Sequence, residues 1–135
     1  ASITRNPVRE IGWHPVDRVA GSAADQWLLD LPERFEVFHW HGETFAIPEG
    51  AERILSSPHC DNQGFVTGKT LALQCHIEMT APMVRQWADL YRDEIARPSE
   101  SVQSQDAMVA QAELRAENLQ RAARVLYENW LAGIR

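Results

Sequence analysis

Thr70–Leu71–Ala72–Leu73–Gln74–Cys75–His76–Ile77–Glu78 is an apolar run that ends on an imidazole and a carboxylate. Thr67–Gly68–Lys69, just before it, reads as a tight hairpin turn, so the run predicts a strand over Thr70–His76. Active sites of open α/β sheets gather at the carboxyl ends of strands, which is where His76 and Glu78 fall. The two are two residues apart and share a face if the extended backbone continues. A carboxylate beside an imidazole fixes its tautomer and stabilises its charged form. Such a pair is two-thirds of a nucleophile–base–orienter set, although by spacing alone it is more often a surface or structural pair.

Working outward, residues 1–80 carry short apolar runs separated by Pro and Gly. Strands are expected at Glu10–Arg18, Phe35–His41, Arg53–Ser57 and Gly64–Thr67, with a short helix around Ala24–Leu29. Gly42, Pro48 and Gly50 mark a loop. Residues 81–135 read as helical. Thr80 is a suitable N-cap with Pro82 in the first turn, followed by apolar positions at helical spacing from Met83 to Ile95. Arg97–Pro98–Ser99 breaks that helix. Ser104 caps another, expected to run to Leu131 with Leu119, Ala123, Leu126 and Trp130 on one face. That face is read as packing against the domain, with a dimer surface as the alternative.

Composition narrows the function. The 135 residues suit one domain or part of one, and 44% hydrophobic with 24% charged residues is ordinary for a packed core. The net charge of −6, without a basic stripe, argues against nucleic-acid binding. No apolar run is long enough for a membrane span, and the N-terminus has no secretory pattern. There is no initiating Met, so the expectation is a trimmed chain or one beginning within a longer gene product. Two cysteines, with no CxxC pair, point to a reduced, cytoplasmic protein, with a single disulfide between Cys60 and Cys75 left open. No phosphate loop or GxGxxG turn suggests a nucleotide, so no cofactor is expected.

His39 and His41 form the other candidate cluster. On a strand they face the same side, a common way to bring two imidazoles to one metal. The carboxylate that would complete such a site is wrongly spaced: Glu43 comes too early, and Phe45 and Ala46 occupy the later positions. No metal is therefore expected, and a metal-dependent hydrolase using His39 and His41 is the least favoured alternative. Cys75 adjoins His76 and faces the opposite way on a strand, so it reads as a buried residue. His14, between Trp13 and Pro15, reads as structural, and the five Trp as core or interface anchors.

Ala72–Leu73–Gln74–Cys75–His76–Ile77–Glu78 resembles the closing motif of class I, triad-type glutamine amidotransferases. His39–Trp40–His41–Gly42–Glu43–Thr44–Phe45 is similar to that family's H-G-D segment, and Glu10–Ile11–Gly12–Trp13–His14–Pro15–Val16 to the strand before it. Ser56–Ser57–Pro58–His59–Cys60–Asp61–Asn62–Gln63–Gly64–Phe65 and the end of the last helix, Tyr127–Glu128–Asn129–Trp130–Leu131, are similar to small stand-alone, GMP-synthase-like members. The resemblance covers essentially the whole chain. It departs from the family in having Glu43 where Asp is commoner and Cys75 where an aromatic is usual.

The resemblance implies an α/β fold: the C-terminal half of a flavodoxin-like, mostly parallel domain with a C-terminal helical segment. It implies a cysteine thiolate attacking the side-chain amide of glutamine, His76 as base, Glu78 orienting it, and the backbone at Trp40 and His41 beside the bound glutamine. The G-x-C-x-G-x-Q nucleophile elbow is not found in residues 1–135. The chain alone is accordingly expected to lack glutaminase activity, with the nucleophile-bearing N-terminal half of the domain as its partner. A synthetase that accepts the ammonia, another γ-glutamyl amide as substrate, or self-association are further possibilities of the same reading. The alternative from another class is a non-catalytic binding or assembly domain of this fold.

Overall fold

In the computed structural model, which describes residues 1–134, a five-stranded sheet is followed by helices. The strands are β1 (Ile3–Arg18), β2 (Arg34–Phe45), β3 (Glu52–Ser57), β4 (Cys60–Thr67) and β5 (Thr70–Leu73). Helix α1 (Ser22–Trp27) lies between β1 and β2, and α2 (Ala81–Leu90), α3 (Gln105–Val109) and α4 (Ala112–Ile134) follow the sheet. The strand order is β2-β1-β3-β4-β5, and every ladder is antiparallel. The mostly parallel character implied for the whole domain is thus not what these residues build. Two-residue turns at Pro58–His59 and Gly68–Lys69 join successive strands and can only return the chain antiparallel. Gly68 takes φ +55° at the first turn position, which suits the hairpin expected there.

The strands run further than their apolar patterns suggest. β1 begins at Ile3 rather than Glu10, because it pairs with β2 on both sides of an irregularity: Arg5 faces Glu43 and Glu10 faces His41. The extra residues arch outward as a bulge, tied down by the Asn6 amide donating to Val8 O (2.9 Å) and His59 O (2.8 Å). β5 ends at Leu73, three residues short of expectation, yet the chain stays extended enough for His76 to pair with Phe38 of β2. His76 N–H donates to Phe38 O at 2.8 Å and Phe38 N–H to His76 O at 3.3 Å. The chain leaving one edge of the sheet therefore meets the strand at the other edge, and the sheet curls.

The helical half follows its caps. Thr80 Oγ1 accepts from Met83 N–H, and Ser104 Oγ from Ala107 N–H. α2 stops at Leu90 and continues as a 3₁₀ turn over Arg92–Ile95. The single long helix expected after Ser104 is broken: Gln111 sits at φ +54°, separating α3 from α4. Ala112, Ala116, Leu119, Ala123 and Leu126 of α4 are buried, so this face packs on the domain. Trp130 closes the contact, its indole N–H donating to Lys69 O at 2.9 Å.

A loop over residues 99–103 crosses β1 at Gly12. Ile11 N–H donates to Ser101 O, Gln103 N–H to Ile11 O, and Trp13 N–H to Gln103 Oε1. Gly12 has φ +107°, and a Cβ there would lie 2.4 Å from Gln103 Oε1 and 2.9 Å from Gln103 Cβ. Both the backbone angle and the space require glycine. Gly12→Ala is expected to cost about 2 kcal/mol or more, read as a lowered denaturation midpoint with an unchanged m-value.

Candidate functional site

The curl brings the two sequence clusters into neighbouring hollows. One is a cleft of about 720 Å³ under the β1 bulge, with Trp40, His41, Gly42 and Gln74 among its walls. The other is a groove of about 350 Å³ holding His76 and Glu78, walled by Leu71, Leu73, Tyr127 and Trp130. Gln74 belongs to both. The four residues singled out from sequence are therefore adjacent, in two pockets rather than one.

His76 Nδ1 lies 2.7 Å from Glu78 Oε1. An ionised carboxylate only accepts, so Nδ1–H donates and Nε2 is left with its lone pair. The His76 ring stands edge-on to Trp87 at a centroid distance of 5.2 Å. Trp87 belongs to an aromatic group with Phe38, Trp40 and Tyr91. Backbone pairing to Phe38 and the Trp87 face together fix where the imidazole sits. It remains part-exposed: 29% of the side chain is accessible, and 51% of Glu78.

Neither cysteine presents an exposed thiol. Cys75 is fully buried, and burial pushes its pKa up to about 12. Cys60 is buried on β4, its thiol donating to Thr44 Oγ1 at 3.3 Å. Both are free cysteines, so the disulfide left open by the sequence is not formed.

His39 and His41 do face the same side, and their carboxylate is Glu10 of β1, not Glu43. One ligand atom from each of Glu10, His39 and His41 lies within 4.8 Å of the others. Glu10 is completely buried. Its Oε2 accepts from His41 Nε2 at 3.0 Å, Ser57 Oγ at 3.1 Å and Gln63 Nε2 at 2.6 Å. Burial pushes its pKa up, but the bond from His41, the nearness of His39 and the bond from Ser57 outweigh it and hold the carboxyl below its ordinary value. His39 is enclosed as well, its Nε2–H donating to His14 O at 3.2 Å. Burial pushes its pKa down to about 4 despite Glu10 nearby. His14 is buried and donates Nε2–H to Ile11 O, the structural role expected of it.

Glu10, Ser57 and Gln63 were not singled out for chemistry by the sequence reading. A signal existed. Glu10 has the parity of Gly12, His14 and Val16 on β1, all buried, so a carboxylate there had to find partners indoors.

His39 makes stability depend on pH with a definite sign. The unfolded chain takes up a proton near the ordinary value of 6.5, whereas the fold resists it down to about 4. Stability is complete above 6.5 and falls as pH drops from there toward 4, by at most about 1.4 kcal/mol per pH unit. The midpoint of thermal unfolding is expected to fall over that window, and with a shallower slope in His39→Gln. Circular dichroism melts across the pH series check it.

No family model matches the chain, and none of the curated proteins matches it significantly. Solved structures do. A glutamine amidotransferase from Methylobacillus flagellatus is 36% identical with a TM-score of 0.89, covering 98% of this chain and 55% of that one. A glutamine amidotransferase from Thermotoga maritima is 34% identical with a TM-score of 0.82, covering 96% of this chain and 54% of that one. A candidate GMP synthase component from Thermoplasma acidophilum, 17% identical with a TM-score of 0.58, shares the fold over 98% of this chain and 47% of its own. The chain spans little more than half the length of the first two. In sequence and in fold, the chain is similar to glutamine amidotransferases over the part of such a protein that it spans.

Proposed function

We propose that this chain supplies the general base and its orienting carboxylate to a glutamine-hydrolysing site, with the nucleophilic cysteine coming from outside residues 1–135. The observation that carries the reading is the His76–Glu78 pair. Its 2.7 Å bond commits Nδ1 to Glu78 and leaves Nε2 as the proton acceptor at the mouth of an open groove. Similarity to glutamine amidotransferases supplies the substrate class.

In this scheme His76 Nε2 takes the proton of the cysteine thiol, and the thiolate adds to the side-chain carbonyl carbon of glutamine. The tetrahedral intermediate collapses as the imidazolium returns that proton to the departing nitrogen, releasing ammonia and leaving a γ-glutamyl thioester. His76 then deprotonates a water that attacks the thioester. Glutamate leaves and the thiol is re-formed. Glu78 holds the ring in the required tautomer and stabilises the imidazolium in both halves. The main chain at Trp40 and His41, in the adjoining cleft, is assigned to the α-amino and carboxylate groups of glutamine. The half-open apolar walls around Ile77, Tyr127 and Leu131 would be covered by the nucleophile-bearing half of the domain.

Among the described residues no helix is long and apolar enough to cross a membrane. The ammonia acceptor is assigned to a separate synthetase partner.

Ammonia release from glutamine tests the proposal, comparing this chain with the protein expressed from its complete gene. Activity is expected in the latter only. There, His76→Ala should lower kcat by about 10³-fold, and Glu78→Gln by less. Full activity of His76→Ala would refute the assignment.

A further inference from the structure

We propose that Glu10 is a positioning residue for the glutamine site: through His41 and Gln63, its buried carboxylate holds together the strand that flanks the substrate and the segment that carries the base. The functional part of this inference rests on the reading of His76, Trp40 and His41 given above.

Four residues form a closed circuit. Glu10 Oε2 accepts from His41 Nε2 (3.0 Å) and from Gln63 Nε2 (2.6 Å). The side-chain amide of Gln74 donates to His41 Nδ1 at 2.9 Å and also reaches the carbonyl of Glu43. The main-chain N–H of Gln74 donates to Gln63 O at 2.8 Å, which closes the loop. The members come from β1, β2, β4 and the segment after β5. Ser57 of β3 adds a third donor to the same Glu10 oxygen at 3.1 Å. Every strand of the curl but the last is therefore bonded to one oxygen atom, and Gln74 follows directly on that last strand.

The circuit bears on the site at two points. His41 and Gln74 line the cleft assigned to the substrate, and Gln74 stands two residues before His76. Its effect on His41 has a defined direction. Because the carboxylate can only accept, Nε2 of His41 carries a proton, while Nδ1 lies 2.9 Å from the Gln74 amide nitrogen and 3.0 Å from the Glu43 carbonyl. A carboxamide in place of Glu10 has no charge to hold that tautomer. Burying an ion is costly, and an apolar residue would fill the same space without that cost. A charge kept here supplies orientation rather than packing.

The sharpest test is Glu10→Gln in the protein from the complete gene, which keeps shape and removes charge. Nitrogen-15 NMR of the imidazoles is expected to show Nε2 of His41 protonated in the unaltered protein, with both the His41 and His76 signals displaced in the variant. The KM for glutamine should rise roughly tenfold, with kcat within about threefold, since a displaced binding segment loses alignment while His76 and Glu78 stay intact. Ser57→Ala removes one donor and keeps the charge. It should show the same displacement to a smaller degree, and it serves if Glu10→Gln does not fold. Unchanged His76 signals and unchanged KM, with only a lower melting temperature, would reduce Glu10 to a structural role and overturn the proposal. So would uptake of one equivalent of zinc with His41 Nε2 as a ligand. An unaltered protein without glutaminase activity would refute the glutamine reading, while the His41 and His76 signals would still decide whether the circuit reaches the base.

Discussion

The main-chain pairing of Phe38 with His76 is the constraint on which the rest of the site depends. Two hydrogen bonds of this kind contribute only about 1 kcal/mol each to stability, so their importance is geometric. They turn a five-stranded ribbon into a curl whose ends meet, and they do so at the residue proposed as the base. Glu10 and His41 are cross-strand neighbours in the β1–β2 ladder, and the bend of the sheet brings Ser57 of β3 and Gln63 of β4 to the same carboxylate oxygen. The aromatic group of Phe38, Trp40, Trp87 and Tyr91 packs where the closure occurs and lends the imidazole of His76 a fixed wall.

Two carboxylate–imidazole pairs sit close together in this structure, and their surroundings separate their roles. Glu78 and His76 lie at the mouth of a groove in partial contact with solvent, where a proton can enter and leave. Glu10 and His41 lie inside, the carboxylate saturated at one oxygen by three donors and its pKa held down. A pair that must change protonation during a reaction needs access; a pair that must hold still needs enclosure. Spacing alone reveals only the first pair, whose members are two residues apart, and not the second, whose members are 31 apart.

Much of the architecture was legible from local chemistry. Thr80 and Ser104 announced their helices because a hydroxyl cap is a one-residue signal, and Gly68 announced its hairpin for a similar reason. The His76–Glu78 pair was legible because its two members are neighbours in sequence. What stayed hidden depended on residues far apart. The first half of β1 is polar, and only its pairing with the end of β2 makes it a strand. The break at Gln111 lies in a stretch rich in helix formers, where packing overrides propensity. Glu10 is separated by 31 residues from His41 and by 53 from Gln63, so no local pattern joins them.

β1, second in the strand order, is also the first of the five to be made. β1 is flanked by β2 and β3, is crossed at Gly12 by a loop some 90 residues later, and lends its Trp13 indole to the carbonyl of Met108. The turn after α1 waits longer still, for Asn129 to cap the carbonyls of Trp27 and Leu29. A chain emerging from the ribosome therefore cannot complete its middle until almost the last of these helices has appeared. β1, whose second half carries the buried Ile11, Trp13 and Val16, spends the synthesis of all the residues between without its final neighbours.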